Sequence, residues 1–256
     1  MFWSSAQQAA QAALVSGSLL PIATEPDIIE ENGLSFYLHV INANLKQKLN
    51  RTKNAGNPFL PYDQDMFVAQ AGDDHVCLLN KFPVLAPHLL ICSNTFIEQR
   101  TPLQLIDFQA WLLGYSCDDA FGFYNGGATA GASQPHRHMQ LIKTAISLEP
   151  LILSGQLPFK HKLYRYEQLN AQTLADDYSR GMAELGLYHS EQCQPYNLLL
   201  TNGWMLIFPR SANNVNGIFA NGMNYSGHFL MRNQTEIDWL KRYGVVRYLT
   251  ECADGS

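Results

Sequence analysis

Charge is scarce in this 256-residue chain. Asp, Glu, Lys and Arg make up 15% of it, against roughly 25% in an average soluble protein. Seventeen basic residues face 22 acidic ones, for a formal charge of −5. A broad nucleic-acid footprint needs a basic face, so nucleic acid is not an expected partner. A small anion at one locally positive spot remains compatible with this balance. Long apolar runs are also missing: no window approaches the roughly 18–20 apolar residues of a membrane span. The apolar start, Met1–Ile22, carries no Lys or Arg and is interrupted by Gln7, Gln8, Gln11 and Ser16. Neither membrane insertion nor a signal peptide is expected. The five cysteines, Cys77, Cys92, Cys117, Cys193 and Cys252, are scattered without a CxxC pair. That argues against a disulfide framework or a four-cysteine zinc site, and for a reducing, cytoplasmic compartment. What is plentiful is core material: 46% hydrophobic and 11% aromatic residues. That composition is not one of intrinsic disorder.

The elements alternate without the regular rhythm of a doubly wound sheet. An Ala/Gln-rich helix is expected over 4–15, and an aromatic, β-branched strand over 34–41. A long polar loop follows over 42–65. The stretches 66–71 and 75–80, around Gly72-Asp73-Asp74, read as a hairpin, and 89–92 as a further strand. Thr101-Pro102-Leu103-Gln104 predicts a helix capped by Thr101, with Pro102 at its first position, running to about Tyr115. Residues 122–125 form a short strand, 126–134 a Gly/Ala/Ser/Thr loop, and 136–142 the next strand. A helix is expected over 171–187. Asn202-Gly203 between 196–201 and 204–209 suits a hairpin with a type I′ turn. Asn233 with Glu236 caps a last helix to about Leu249. The fold class expected is α+β, with residues 1–256 as a single domain.

The chemistry concentrates in Gly131-Ala132-Ser133-Gln134-Pro135-His136-Arg137-His138-Met139-Gln140-Leu141. Alternate side chains on a strand share a face, so His136, His138 and Gln140 point one way and Arg137, Met139 and Leu141 the other. Three polar groups in a row are costly to bury without partners. The loop before them carries Gly126, Gly127 and Gly131 after Gly122, which lets backbone N–H groups approach a phosphate. Neutral imidazole is a good nucleophile and, with a reference pKa near 6.5, is mostly unprotonated at pH 7. General acid–base work is equally open to such a pair. An H-x-H strand pattern by itself also fits a metal-ligand pair or chance. The glycine lead-in, a Gln at the third position and the lack of a nearby carboxylate favour phosphorus chemistry.

The run GASQPHRHMQL resembles the active-site strand of the histidine-triad superfamily, and its Gln resembles the transferase branch. Lys53 with Asn57-Pro58-Phe59, residues 76–84, His88-Leu89-Leu90-Ile91, 196–199 through Trp204 to Pro209-Arg210, and 221–227 resemble, in order, diadenosine tetraphosphate phosphorylases (ATP adenylyltransferases). The resemblance spans roughly 45–250. It implies a histidine-triad-like antiparallel sheet with flanking helices, a core over about 45–165, and a C-terminal extension over about 185–250. It implies phosphorolysis of diadenosine tetraphosphate to ATP and ADP, reversibly, through AMP carried on His138. Gln140 would hold the α-phosphate or leaving group, and His136 would orient His138. Ser133, with the backbone of Gly131, Ala132 and Gln134, would contact phosphate oxygens. Lys53 and Asn125 would hold the polyphosphate and Asn80 the nucleoside. Asn221, Gly222 and Met223 would form a further contact segment. Arg232 stands where the family often has Lys, and Gly227-His228 where it often has a small residue and Met. No tightly bound cofactor is expected, and magnesium would enter with the substrate. The expected partners are nucleotides and inorganic phosphate; oligomeric state is left open. Competing readings are a hydrolase, a hexose-1-phosphate uridylyltransferase-like enzyme and a nucleotide sensor without turnover. His39 and His75 read as structural, Trp204 as core, and Lys241-Arg242 as a solvated face.

Overall fold

The structure is a computed structural model that describes residues 2–22, 26–41, 56–189 and 191–254. Lys53 and residues 42–55 of the expected polar loop lie outside the described residues. Helix α1 (Phe2–Ser16) buries Trp3, Ala6, Ala10 and Ala13, a three-and-four spacing that makes one small-residue stripe. Strands β1 (Asp27–Glu31) and β2 (Leu34–Val40) pair antiparallel. Then come β3 (Phe67–Gln70), β4 (His75–Leu79), β5 (Leu89–Ser93), α2 (Leu105–Leu112), β6 (Ala120–Gly126) and β7 (His138–Lys143). The chain continues with α3 (Glu149–Ser154), β8 (Lys162–Arg165), α4 (Ala171–Glu184), β9 (Tyr188–His189) and β10 (Gln192–Cys193). It closes with β11 (Tyr196–Leu200), β12 (Trp204–Pro209), β13 (Asn214–Val215), β14 (Ile218–Phe219), β15 (His228–Met231), α5 (Gln234–Tyr243) and α6 (Val245–Asp254).

One eight-stranded antiparallel sheet, ordered β3-β4-β5-β7-β6-β11-β12-β8, draws on both halves of the chain. β15 joins β2 in parallel to make a second, three-stranded sheet with β1. Both faces of the large sheet are covered, so its strands read as near-continuous apolar runs. On the back, Ile91, Met139, Tyr124, Leu198 and Ile207 pack with α1, α2 and α4. On the front, Phe121, Phe123, Leu199, Leu206 and Phe208 pack against the C-terminal helices and the small sheet. Phe59, Val76, Leu78, Leu90 and Cys92 form a separate front cluster. Gln140 pairs with Leu90 and Phe123, and His138 pairs with Cys92. The polar row on β7 therefore runs along the seam between the two front clusters. Among the described residues no helix is long and apolar enough to cross a membrane.

Four local expectations are corrected. Helix α2 starts at Leu105 with Gln104 as its cap, not at Pro102. The Thr101 hydroxyl donates instead to the Glu98 carbonyl at 2.7 Å, while the Thr101 and Pro102 carbonyls both accept from Arg137. The β7 ladder begins at His138, and His136 makes only an isolated bridge with Glu98. The β11–β12 hairpin forms, but neither Asn202 nor Gly203 has the positive φ of a type I′ turn. There the Thr201 hydroxyl accepts from the N–H groups of Gly203 and Trp204, at 3.2 and 3.1 Å. The last helix is interrupted at Gly244 (φ +95°). α6 restarts where the Glu31 carboxylate, from β1, accepts the Val245 and Val246 N–H groups at 2.5 and 3.2 Å.

Candidate active site

His138 opens β7 with 3% of its surface exposed. Its Nδ1 lies 2.8 Å from the His136 carbonyl, which can only accept, so Nδ1 carries the hydrogen. Nε2 is left with its lone pair. Burial pulls the His138 pKa down to about 4, so the ring is neutral at pH 7. The His138 N–H donates at 2.8 Å to Oε1 of buried Gln99, whose Nε2 donates to the Asn125 carbonyl at 2.9 Å. A side-chain amide thus replaces a neighbouring strand at the start of β7. The His136 ring is bound on both nitrogens: Asn57 Nδ2 donates to Nδ1 at 2.8 Å, and Nε2 donates to the Ser93 carbonyl at 2.8 Å. Burial lowers its pKa as well.

Gln140 is oriented by a relay. Asn80 Nδ2 donates to His88 Nδ1 at 3.1 Å, and His88 Nε2 donates to Gln140 Oε1 at 3.0 Å. Burial takes His88 down to about 4 despite the bond to Gln140, so it too is neutral. With Oε1 engaged, the Gln140 amide N–H groups are the ones left to offer. Asn125 is oriented the same way. Its Oδ1 accepts from Asn197 Nδ2 and from the Gly222 N–H, each at 2.8 Å. Buried Arg210 stands behind this corner, donating to Asn197 Oδ1, to the Ala130 carbonyl at 3.2 Å and to the Ala220 carbonyl at 3.1 Å. It ties the glycine loop to the segment carrying Asn221. The approach is close: at Gly131 (φ +94°) a Cβ would lie 2.5 Å from Asn221 Cβ and 2.7 Å from the Ala220 carbonyl oxygen. No other residue fits there without movement.

A cavity of about 180 Å³ opens over this frame. Of the residues expected from sequence, Asn80, Asn125, Gly131, Ser133, Gln140, Asn221 and Met223 line it. Gly222 sits behind its wall through the bond to Asn125, and Ala132 and Gln134 line a neighbouring cavity with Ser133. Arg232 is not brought to either: its guanidinium pairs with Glu236 and donates to the Gly217 carbonyl at 2.9 Å. Gln99, the His88 relay and the Arg210 anchor carried no role in the sequence reading. His88 and Arg210 were at least inside resembling blocks, whereas no local pattern marks Gln99. Phe82, Val84, His88, Phe219, Asn224 and Leu230 complete the lining, and neither His136 nor His138 is part of it.

A neutral imidazole with Nε2 unbonded, set beside oriented carboxamides, is the arrangement that the resemblance to nucleotidyltransferases of the histidine-triad class implies. Comparison narrows the class. Residues 1–162 match the Ap4A phosphorylase N-terminal domain, and residues 155–254 match the ATP adenylyltransferase C-terminal domain. The chain belongs to the Ap4A phosphorylase family. It is 25% identical over 236 residues to diadenosine 5′,5‴-P1,P4-tetraphosphate phosphorylase 2 of Saccharomyces cerevisiae, covering 74% of this chain and 73% of that one. It is 24% identical over 198 residues to Protein APA1 of the same yeast, covering 61% of each. The fold matches yeast Ap4A phosphorylase Apa2 in complex with AMP, with a TM-score of 0.82 at 22% identity. That match covers 98% of this chain and 96% of the other. The structure of the same yeast protein in complex with Ap4A matches with a TM-score of 0.80.

Proposed function

We propose that this chain cleaves diadenosine tetraphosphate with inorganic phosphate, giving ATP and ADP, through a covalent adenylyl-His138. The His138 Nε2 lone pair attacks the α-phosphorus; the bond from that phosphorus to the bridging oxygen breaks, and ATP leaves. A phosphate oxygen then attacks the same phosphorus, the P–N bond breaks, and ADP departs while Nε2 regains its lone pair. The observation that carries this reading is the Nδ1–carbonyl bond, which commits the free lone pair to Nε2. A polyphosphate is a good leaving group as an anion, so no general acid is required at position 140. The Gln140 amide donates to a phosphate oxygen without ionising. Ser133 and the Asn125 amide serve the same oxygens, and Asn80 the nucleoside. His136 acts through its carbonyl as a positioning residue. Magnesium is assigned to the polyphosphate itself rather than to a protein cage.

Incubation of the full chain with diadenosine tetraphosphate and phosphate tests this. ATP plus ADP is expected, with an AMP adduct on His138 seen by intact mass after quench when phosphate is omitted. AMP as the main product in the presence of phosphate would make the chain a hydrolase. Binding without products would make it a sensor.

A further inference from the structure

Arg210 is 4% exposed, and its guanidinium donates only to neutral oxygens. Nε donates to the Cys252 carbonyl at 2.9 Å, and Nη1 to the Ala130 carbonyl at 3.2 Å and to Asn197 Oδ1. Nη2 donates to the Ala212 and Ala220 carbonyls at 2.7 and 3.1 Å. No carboxylate pairs with it among the described residues. Arg137, just as buried, has its charge cancelled by Asp107 at 2.8 Å. The carbonyl end of α6, reached through Cys252, and the Tyr225 ring 5.6 Å away ease the burial of Arg210. A helix terminus supplies only about half a unit of charge, however. A buried cation without a counter-ion is costly. One held this way in a chain of formal charge −5 calls for an anion from outside.

The charge sits one layer behind the 180 Å³ cavity. Ala130 precedes Gly131 and Ala220 precedes Asn221, and Gly131 and Asn221 both line that cavity. The contact to Asn197 opens a directed chain. Arg210 donates to Asn197 Oδ1, and Asn197 Nδ2 donates to Asn125 Oδ1 at 2.8 Å. Asn125 lines the cavity and, with that oxygen engaged, has its amide N–H groups left to offer. Every link passes the donor forward, and a cation at the root of such a chain polarises the amides after it. The described lining holds no ammonium or guanidinium of its own. A low-dielectric wall between charge and cleft focuses the field into the cleft.

We infer that Arg210 is a fixed counter-charge for the polyphosphate, a positioning residue that acts through Asn197 and Asn125 without touching the substrate. This rests on the reading that the cavity takes the polyphosphate. Isotherms at low salt compare adenosine, AMP and diadenosine tetraphosphate on the full chain carrying His138→Ala, so that binding is read without transfer. A packing defect weakens all three alike, whereas a lost charge is felt in proportion to the charge of the ligand. Arg210→Met is expected to weaken diadenosine tetraphosphate about tenfold and AMP about threefold, and to leave adenosine unchanged. Arg210→Lys loses the same fork of donors but keeps the charge, and is expected to hold diadenosine tetraphosphate within about threefold of the reference chain. Asn197→Asp sets a carboxylate against an intact guanidinium and is expected to reproduce the graded loss; it gives the answer if Arg210→Met does not fold. Adenosine weakened as much as the tetraphosphate overturns the inference, as do Lys and Met variants that are equal for every ligand. A reference chain that binds diadenosine tetraphosphate no better than adenosine breaks the polyphosphate reading and the inference with it. A preference that survives both Arg210→Met and Asn197→Asp breaks the inference alone.

Discussion

The front and back of β7 solve the same problem, burial of polar side chains, in opposite ways. In front, His138 and Gln140 belong to neutral hydrogen-bonded chains running through the His136 carbonyl, His88 and Asn80. Behind, Arg137 donates to Asp107 at 2.8 Å, and His75 bonds the other oxygen of that carboxylate at 2.9 Å, all three side chains buried. Charge serves where the strand must be pinned. On the front, burial keeps the His138 ring unprotonated, the state the proposed transfer requires. A buried ion cluster is weak evidence for net stability but costly to break. On the proposed reading, the back governs stability and the front chemistry.

That division can be broken by substitution. His138→Ala is expected to remove turnover and the adenylyl adduct, by on the order of 10⁴-fold or more, with the circular-dichroism spectrum kept. A variant that still carries labelled AMP would end the assignment. Asp107→Asn should strand the Arg137 guanidinium and cost about 3–5 kcal/mol in urea unfolding. A loss under ~1 kcal/mol would mean that the back is not pinned by charge. Gln140→His should leave the fold intact and raise the share of AMP among the products, by replacing a group that cannot ionise with one that can. An unchanged ADP yield would remove Gln140 from acceptor choice.

Stability should also depend on pH. Burial holds His88, His138 and His228 at about 4 in the folded chain, while the unfolded chain takes up these protons near pH 6.5. The unfolded state binds more protons between those values, so stability is level above about pH 7 and declines as pH falls toward 4. With three such rings, on the order of 5 kcal/mol should be lost between pH 7 and 5, read from urea midpoints. An equal midpoint at both values would mean that these rings are not held neutral by the fold.

Much of the candidate catalytic stretch was legible because it is contiguous. The glycine loop could be read from its composition, and the shared face of His138 and Gln140 from the two-residue period of a strand, although β7 itself begins only at His138. The helices at 2–16 and 171–184 were legible from their stripes of Ala and of Leu174, Tyr178 and Met182. Boundaries set by distant groups were not. Thr101 looks like a helix cap until Arg137 engages its carbonyl, and the break at Gly244 makes sense only with Glu31 at the start of α6. Arg232 looks like a phosphate ligand until Glu236, four residues on, takes its guanidinium.

The chain's own order determined that a histidine flanked by a histidine and a glutamine would sit on a buried strand behind a glycine-rich loop. Those features depend on local sterics and on the two-residue period of a strand. Only the folded molecule decided which imidazole nitrogen is bare, which way Gln140 and Asn125 present their amides, and that Gln99, His88 and Arg210 hold them there. Each of those outcomes is a hydrogen bond between groups remote in sequence, and its direction is set by which partner can donate.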